Sequence, residues 1–436
     1  MIQITDKSQC CGCEACVQAC PKHCIRFSQD EEGFFYPEVD TSSCVQCGLC
    51  EKVCPVLSPN EARKPQDVLA AINPDATVRE QSSSGGLFSL LAEKIIGQGG
   101  VVFGVRFNDD WLAVFDFSDT VDGLAAFRGS KYLQARVGDS FLQCKHFLDE
   151  GRQVLFSGTQ CQIAGLRHFL GRPYTNLLAV DFVCHGVPSP KVWQRYLDEA
   201  VKAGRQAISD VQFRDKRQGW KRFSLTLNCD DSAGIYTLTS PFAENPFMRA
   251  FLSNLILRPS CHACPAKGGR SRADLTIADF WGIDRVNPEM DDDRGTSLVL
   301  VHTDKGQAAL HACSFRSAQV TYDEAVRFNP SAEISVSSHP RREKFFMAFG
   351  SQTNLHTLIY ESLRPSVKAR IKRAVRYPLL FSKRLINRIL GGGKTALLTS
   401  PSIKDVSTLH ISSIQFRSKQ HGWKHYELRI SMKDNC

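Results

Sequence analysis

The chain of 436 residues has no uncharged apolar run long enough to cross a bilayer, which argues against a spanning helix. Met1 is not followed by a secretion signal, so the sequence reads as one that stays in the cytoplasm. The common nucleotide motifs are missing too. GQGGVVFG (97–104) puts Val102 where a dinucleotide fingerprint needs glycine, and GGGKT (391–395) has Arg388 at the first glycine of a P-loop. Acid is absent from residues 362–394, which carry ten Lys/Arg. No aromatic platform accompanies that charge, so nucleic acid is not an expected partner.

Cysteine is abundant, with 18 in the chain. In a reducing compartment such thiols bind metal more often than they form disulfides. Eight fall in one stretch, CCGCEACVQACP and CVQCGLCEKVCP, each with the spacing C-x2-C-x2-C-x3-C-P. Three thiolates at x2 steps wrap one cube of iron and sulfide, and the fourth reaches the other cube. Cys10, Cys13, Cys16 and Cys54 are thus expected at one 4Fe–4S cluster, and Cys44, Cys47, Cys50 and Cys20 at a second. Zinc sites close with fewer ligands and have no use for this doubled pattern. Residues 1–60 hold four Lys/Arg against eight Asp/Glu, as suits an electron carrier that docks on basic partners. Cys11 and Cys24 are left without a role.

After this bacterial-type two-cluster ferredoxin domain (1–60) comes a linker (61–67), then apolar segments that alternate as strands and helices. VLAAI (68–72), VVFGVRF (101–107), LAVFDFS (112–118), QVLFSGT (153–159) and LLAVDFV (177–183) read as strands. LFSLLAEKIIGQGG (87–100), FLQCKHFLDEG (141–151), QIAGLRHFLG (162–171) and SPKVWQRYLDEAVKAG (189–204) read as helices. From about 208 strands dominate. The expected fold is α+β to α/β and multidomain, with one large mixed domain over 68–340 and a mainly parallel sheet.

Four cysteines of this domain lie beside turns: Cys161 and Cys184 just past strands, and Cys261 and Cys264 in CHACP. Ligands gather at the carboxyl ends of strands in such sheets. These four either close a third tetrathiolate site or, for Cys161 and Cys184, are buried small hydrophobes. SSSGG (82–86) before a helix either turns N–H groups toward a phosphate or is a plain turn. FRGSKYLQA (127–135) offers Arg128, Lys131 and Tyr132 to a nucleotide, or is a surface strand.

Taken together, SSSGGLFSLLA, FRGSKYLQA, VLFSGTQCQIAGLR, VDFVCHGVPS, FRDKRQGW, CHACP and ADLTIADFWGI resemble the beta-subunit family of coenzyme F-420 hydrogenases and dehydrogenases. The resemblance covers most of residues 1–330. It implies an iron–sulfur flavoprotein that passes electrons between FAD and 4Fe–4S clusters. By resemblance, Ser84, Gly85, Gly86, Ser130, Lys131, Tyr132 and Gln134 touch the flavin, and Thr159 and Gln160 lie near its ring. Cys161, Cys184, Cys261 and Cys264 then hold a third 4Fe–4S cluster. Two departures are mild: GTQC stands for the usual GTPC, and ADFWG for GDFWG. Asp279 and Trp281 either line the flavin or substrate pocket or cap and pack a strand end. His185 reads as a supporting or core histidine ahead of a proton donor.

The implied function is a flavin-dependent oxidoreductase acting on a small-molecule substrate or soluble donor, with a redox partner protein. One version reduces a sugar or lipid-linked intermediate for surface polysaccharide synthesis. The alternatives are a non-catalytic electron relay feeding a separate reductase, and a zinc-stabilised scaffold. Residues 341–436 carry 19 Lys/Arg against five Asp/Glu. Within them 341–400 reads as a basic, partly helical tail, suited either to peripheral contact with an anionic membrane or to the acidic ferredoxin head. Finally, 411–430 repeats 208–227 at ten of twenty positions, each copy reading strand, turn, strand, so 401–436 is expected to repeat that hairpin.

Overall fold

The computed structural model describes residues 1–365 other than 202–203, 233 and 351–353. One compact unit runs from Met1 to Arg364. The amphipathic segment beyond 365, GGGKT and the second copy of the hairpin lie outside the described residues.

The head holds two one-turn helices, α1 (Ala15–Gln18) and α2 (Leu49–Lys52), and a hairpin of β1 (Ile25–Gln29) and β2 (Phe35–Val39). Each short helix starts at the same point of its motif. Glu14 (φ 60) follows the second cysteine of the first motif, and Gly48 (φ 74) follows the second cysteine of the other. The left-handed residue turns the chain so that neighbouring thiols face one side.

The body is built on an eight-stranded sheet of order β13-β3-β12-β11-β7-β6-β4-β5. Its strands are β3 (Asp67–Ile72), β4 (Val101–Phe107), β5 (Ala113–Ser118), β6 (Val154–Thr159), β7 (Leu177–Phe182), β11 (Leu275–Asp279), β12 (Ser297–Val301) and β13 (Arg316–Gln319). The central four, β4, β6, β7 and β11, run parallel, and antiparallel strands flank them. VLFSGT and LLAVDF are apolar runs because helices cover both faces of these middle strands. The covering helices include α3 (Ala76–Gln81), α4 (Leu87–Gly97), α5 (Ser140–Asp149), α6 (Gln160–Leu170), α7 (Pro190–Ala200) and α8 (Pro246–Leu252). Between β7 and β11 the chain forms an antiparallel three-stranded sheet from β8 (Ile208–Asp215), β9 (Ser224–Asp231) and β10 (Gly234–Pro241). The turn between β8 and β9 falls at Gly219 as the sequence predicts, but Trp220 leaves its own hairpin and stacks on Trp281, with ring centroids 4.7 Å apart.

Head and body share one apolar core. Glu14, almost fully buried, accepts from Arg136 Nε at 2.9 Å and from the Val137 amide at 2.8 Å. Gln18 Oε1 accepts from the amides of Phe141 and Leu142, so a head side chain caps α5 of the body. Helices Arg342–Phe349 and Leu355–Leu363 bury Phe345, Phe349, Leu355, Leu358 and Ile359 in the same unit. These two helices therefore belong to the core, and Arg342 pairs with Glu32 of the acidic head. Among the described residues no helix is long and apolar enough to cross a membrane.

Candidate functional site

A cleft of about 460 Å³ opens at the carboxyl ends of the parallel strands, within the size range of cofactor sites. FRGSKYLQA contributes no strand. It follows a 3-10 turn (Asp122–Phe127) as a loop along the cleft, and the loop is pinned where the Ser130 amide donates to Ser83 Oγ at 2.7 Å. Ser84, Gly86, Ser130, Lys131, Tyr132 and Thr159 all line this cleft. Gly86 (φ 82) opens α4, so that helix presents its N-terminus there. Lys131 Nζ donates to the carbonyls of Ala126 and Arg128, both at 2.8 Å. Burial lowers its pKa to about 7.

The facing wall carries residues that the sequence did not single out. Arg214 of FRDKRQGW lies buried, donating to Asp279 Oδ2 at 2.7 Å, with its guanidinium 4.1 Å over the Phe223 ring and 5.3 Å over Trp281. Trp220 Nε1 donates to the other Asp279 oxygen at 3.3 Å. Asp279 and Trp281 thus stand in the cleft wall while also closing the strand end, so the two readings of them are compatible.

A second, small cavity of about 30 Å³ lies next to the cleft. Cys161, Cys184, Cys261 and Cys264 all line it. Cys161 is held at the first turn of α6, where Gln162 Oε1 accepts from the amide and hydroxyl of Thr159 at 2.9 Å each. Cys184 follows β7, and Cys261 sits on a 3-10 turn where its sulfur accepts from the Val187 amide at 3.3 Å. Burial raises the pKa of Cys261 to about 12 and of Cys264 to about 11, and pushes Cys184 up further. Four thiolates here therefore need positive charge close by. Lys267, buried, donates to Cys184 O at 2.7 Å. Arg258 is fully buried, and its donors reach Cys10 O, Gln134 Oε1 and Phe35 O, none of them a carboxylate. Gln134 Nε2 and Gln160 Oε1, also buried at this cavity, have no partner. Buried cations without carboxylates and orphaned amides are what an anionic iron–sulfur cluster would satisfy. Among the described residues no three His, Cys, Asp or Glu side chains converge as tightly as a single ion requires.

In the head, Cys20, Cys44, Cys47 and Cys50 line one cavity, joined by Cys24, whose sulfur is 3.4 Å from that of Cys20. Cys13, Cys16 and Cys54 are buried in the core that head and body share, and Cys10 is half-buried. The spacing predicts two crossed sets, and the residues of the second stand round that one cavity.

Three residues expected at the flavin do not line the cleft. Gln134 is a strut between head and body, its Oε1 accepting from the Phe35 amide at 3.3 Å as well as from Arg258. Gln160, where the usual motif has proline, lines the thiol cavity. Gly85 packs against the sheet, its amide donating to Ser297 Oγ at 3.0 Å. A side chain there would strike Ala71 O at 2.5 Å, which explains the glycine. His185 Nε2 pairs with Asn254 Oδ1 at 2.7 Å, and burial lowers its pKa, as for a supporting histidine.

Comparison with known families places two matches along the chain. Residues 151–323 match the family described as the C terminus of the coenzyme F420 hydrogenase/dehydrogenase beta subunit, and residues 9–57 match the 4Fe-4S dicluster domain. The two matches together describe a 4Fe-4S dicluster head followed by a body segment related to the F420 hydrogenase/dehydrogenase beta subunit. The dicluster segment is also similar to ferredoxins and to parts of other oxidoreductases. It is 37% identical over 57 residues to NADH-quinone oxidoreductase subunit I of Pelobacter propionicus, covering 11% of this chain and 31% of that one. It is 36% identical over 52 residues to an uncharacterized ferredoxin of Methanocaldococcus jannaschii (12% and 66%). It is 32% identical over 57 residues to ketoisovalerate oxidoreductase subunit VorC of Methanothermobacter marburgensis (13% and 72%). The chain thus spans about a third of the first of these relatives and about two thirds of the second. Among solved structures it is similar to a chain of the F420-reducing NiFe hydrogenase complex from Methanosarcina barkeri, at 16% identity and a TM-score of 0.42, over 62% of this chain and 91% of that one. The family carries an iron–sulfur, electron-transferring role.

Proposed function

We propose that the protein is an iron–sulfur flavoprotein oxidoreductase in which FAD occupies the cleft and a third 4Fe–4S cluster occupies the neighbouring thiol cavity. The observation that carries this reading is a shared wall. Thr159, Gln162, Cys184, His185, Gly186 and Val187 line both the cleft and the thiol cavity. On its far side the thiol cavity is bounded by Cys11 and Gly12 of the first ferredoxin motif. A redox group in the cleft, a cluster in the cavity and the two head clusters would thus be neighbours in series.

The donor sets fit these groups. A bound flavin exchanges two electrons with an organic partner and passes them singly to iron–sulfur centres. The α4 N-terminus with Lys131 gives a diphosphate its positive field. Arg214, fixed by Asp279, holds the opposite wall, and Phe223 and Trp281 exclude water from it. Cys161, Cys184, Cys261 and Cys264 would ligate the third cluster, with Lys267 supplying compensating charge. The substrate is a small molecule or soluble donor reaching the cleft mouth. The version with a sugar or lipid-linked substrate for surface polysaccharide, working at a membrane, stands on the basic tail, which lies outside the described residues from 366 onward.

Anaerobic purification with iron, sulfide and flavin assays tests this. We expect about twelve irons per chain and one FAD that reduced ferredoxin bleaches. Lys131→Gln should weaken FAD binding without changing iron content. Wild-type affinity should fall as pH rises through about 7, where Lys131 loses its charge, while the variant stays flat. Protein that keeps its clusters but takes up no flavin would mean a relay, and colourless zinc protein would mean a scaffold.

A further inference from the structure

Two residues join the head to the thiol cavity. Arg258 belongs to the body, where it opens the turn that carries Cys261; its carbonyl accepts from the Cys261 amide at 3.0 Å. Its guanidinium nevertheless crosses into the head. There it donates to Cys10 O at 2.8 Å and Phe35 O at 2.9 Å and lies 4.1 Å over the Tyr36 ring. Gly12 makes room for it, since a Cβ there (φ +73) would come within 3.1 Å of the guanidinium carbon and 2.6 Å of Gln134 Nε2. Arg258 thus reaches both sides, bonded through its guanidinium to Cys10 O of the head and through its carbonyl to the Cys261 amide at the cavity. Cys11 stands between the same two thiol sets. It lines the thiol cavity together with Cys161 and lies two residues before Cys13 of the first head set. It is therefore a fifth thiol at a four-thiol site, contributed by the head.

We propose that Cys11 and Arg258 form the junction through which the first head cluster and the body cluster exchange electrons. Cys11 bridges the ligands Cys13 and Cys161 without ligating iron, and Arg258 supplies one positive charge shared by both clusters. The step is a single electron transfer: one cluster is oxidised by one electron as the other is reduced by one, and no atom moves. Two physical arguments support the assignment. A head residue that lines the body's thiol cavity shortens the through-space gap between the two thiol sets. A fully buried cation with no carboxylate partner is tolerable only beside anionic clusters, and it favours the reduced, more negative state of each. The proposal rests on the reading that the cavity holds a cluster, although the effect of Arg258 on the head cluster stands without it.

The test uses the full chain, purified anaerobically, with the variants Cys11→Ser, Arg258→Gln and Arg258→Lys. Iron and sulfide content, EPR-monitored redox titration and freeze-quenched reduction are the readouts. Cys11→Ser should keep the wild-type iron and slow equilibration between head and body clusters on the order of tenfold. Arg258→Gln should move the first head cluster and the body cluster to lower potential by on the order of a tenfold change in equilibrium constant, about 59 mV for one electron. Arg258→Lys should restore most of that shift. Loss of the body iron in Cys11→Ser would make Cys11 a ligand and overturn the bridge. So would wild-type rates and potentials in both variants. Should Arg258→Gln fail to fold, Cys11→Ser and Arg258→Lys still decide. A wild-type chain with only about eight irons would refute the cavity cluster itself, and the head-cluster potential would then test Arg258 alone.

Discussion

Adding one methyl group to a helix glycine normally stabilises it by about 0.4–1 kcal/mol. Gly165 should do the opposite. It lies in α6, and a Cβ built there meets Cys13 Cβ and Sγ at 2.9 Å each and the Phe141 ring at 3.6 Å. Cys13 is buried at the head–body interface and cannot withdraw into solvent. Overpacking of this kind costs about 1–3 kcal/mol, so the propensity gain is outweighed and the net loss is up to about 2 kcal/mol. The strain falls on a thiol expected at the first cluster, so iron should be lost along with stability. Gly97, the last residue of α4, is the control: its added Cβ would meet nothing within 4 Å. Gly97→Ala should leave iron unchanged and raise stability by up to about 1 kcal/mol. The assay pairs iron per chain with denaturant unfolding followed by circular dichroism. Gly165→Ala protein with full iron, as stable as Gly97→Ala, would refute the idea that α6 presses directly on the cluster loop.

Two further perturbations probe buried charge. Asp181 is fully buried with both carboxylate oxygens unpartnered, and burial pushes its pKa up to about 7. The native chain then holds a proton that the unfolded chain releases from about pH 4 upward, so stability falls as pH rises toward 7 and stays reduced above it. A shift of about three units corresponds to about 4 kcal/mol at most. Asp181→Asn should flatten that slope and unfold later at about pH 8, and parallel wild-type and variant profiles would exclude the explanation. Asp279→Asn strips Arg214 of its counter-charge, and breaking such a buried pair costs up to about 3–5 kcal/mol. In a double-mutant cycle with Arg214→Leu the losses should be clearly less than additive, and simple additivity would mean that the pair is not coupled.

Much of this architecture was legible locally. The runs VLFSGT and LLAVDF, apolar without alternation, announce central strands, and they form β6 and β7 within a residue of the expected bounds. The doubled cysteine motif carries its own pairing rule, and Cys20 of the first motif lines one cavity with Cys44, Cys47 and Cys50 of the second. What local pattern could not show is where long-range packing puts charge. Lysine and arginine usually stay solvated, and nothing around Arg214, Arg258 or Lys267 marks them as buried. Their environment comes from segments far off in sequence: Asp279 for Arg214, Cys10 for Arg258, Cys184 for Lys267. The glutamines behave alike. Gln134 and Gln160 sit in segments that resemble flavin-binding loops, yet each turns to the thiol cavity on the other side of Thr159. One available signal was Cys11, which fits no x2 or x3 step and yet adjoins a motif cysteine.

The buried cations also bear on how this chain folds. An arginine buried without a carboxylate costs several kcal/mol unless negative charge is placed beside it. At Arg258 the nearest groups able to carry that charge are thiols, and those of Cys161 and Cys261 are held neutral by the same burial until a metal or cation draws off their protons. Cluster insertion would therefore supply charge compensation as well as ligand bonds, so metal binding and packing of the head against the body are one thermodynamic event. The head–body contacts through Glu14, Gln18 and Arg258 then do two things at once. They close the core between head and body, and they would fix the separation of any centres held in the two thiol sites.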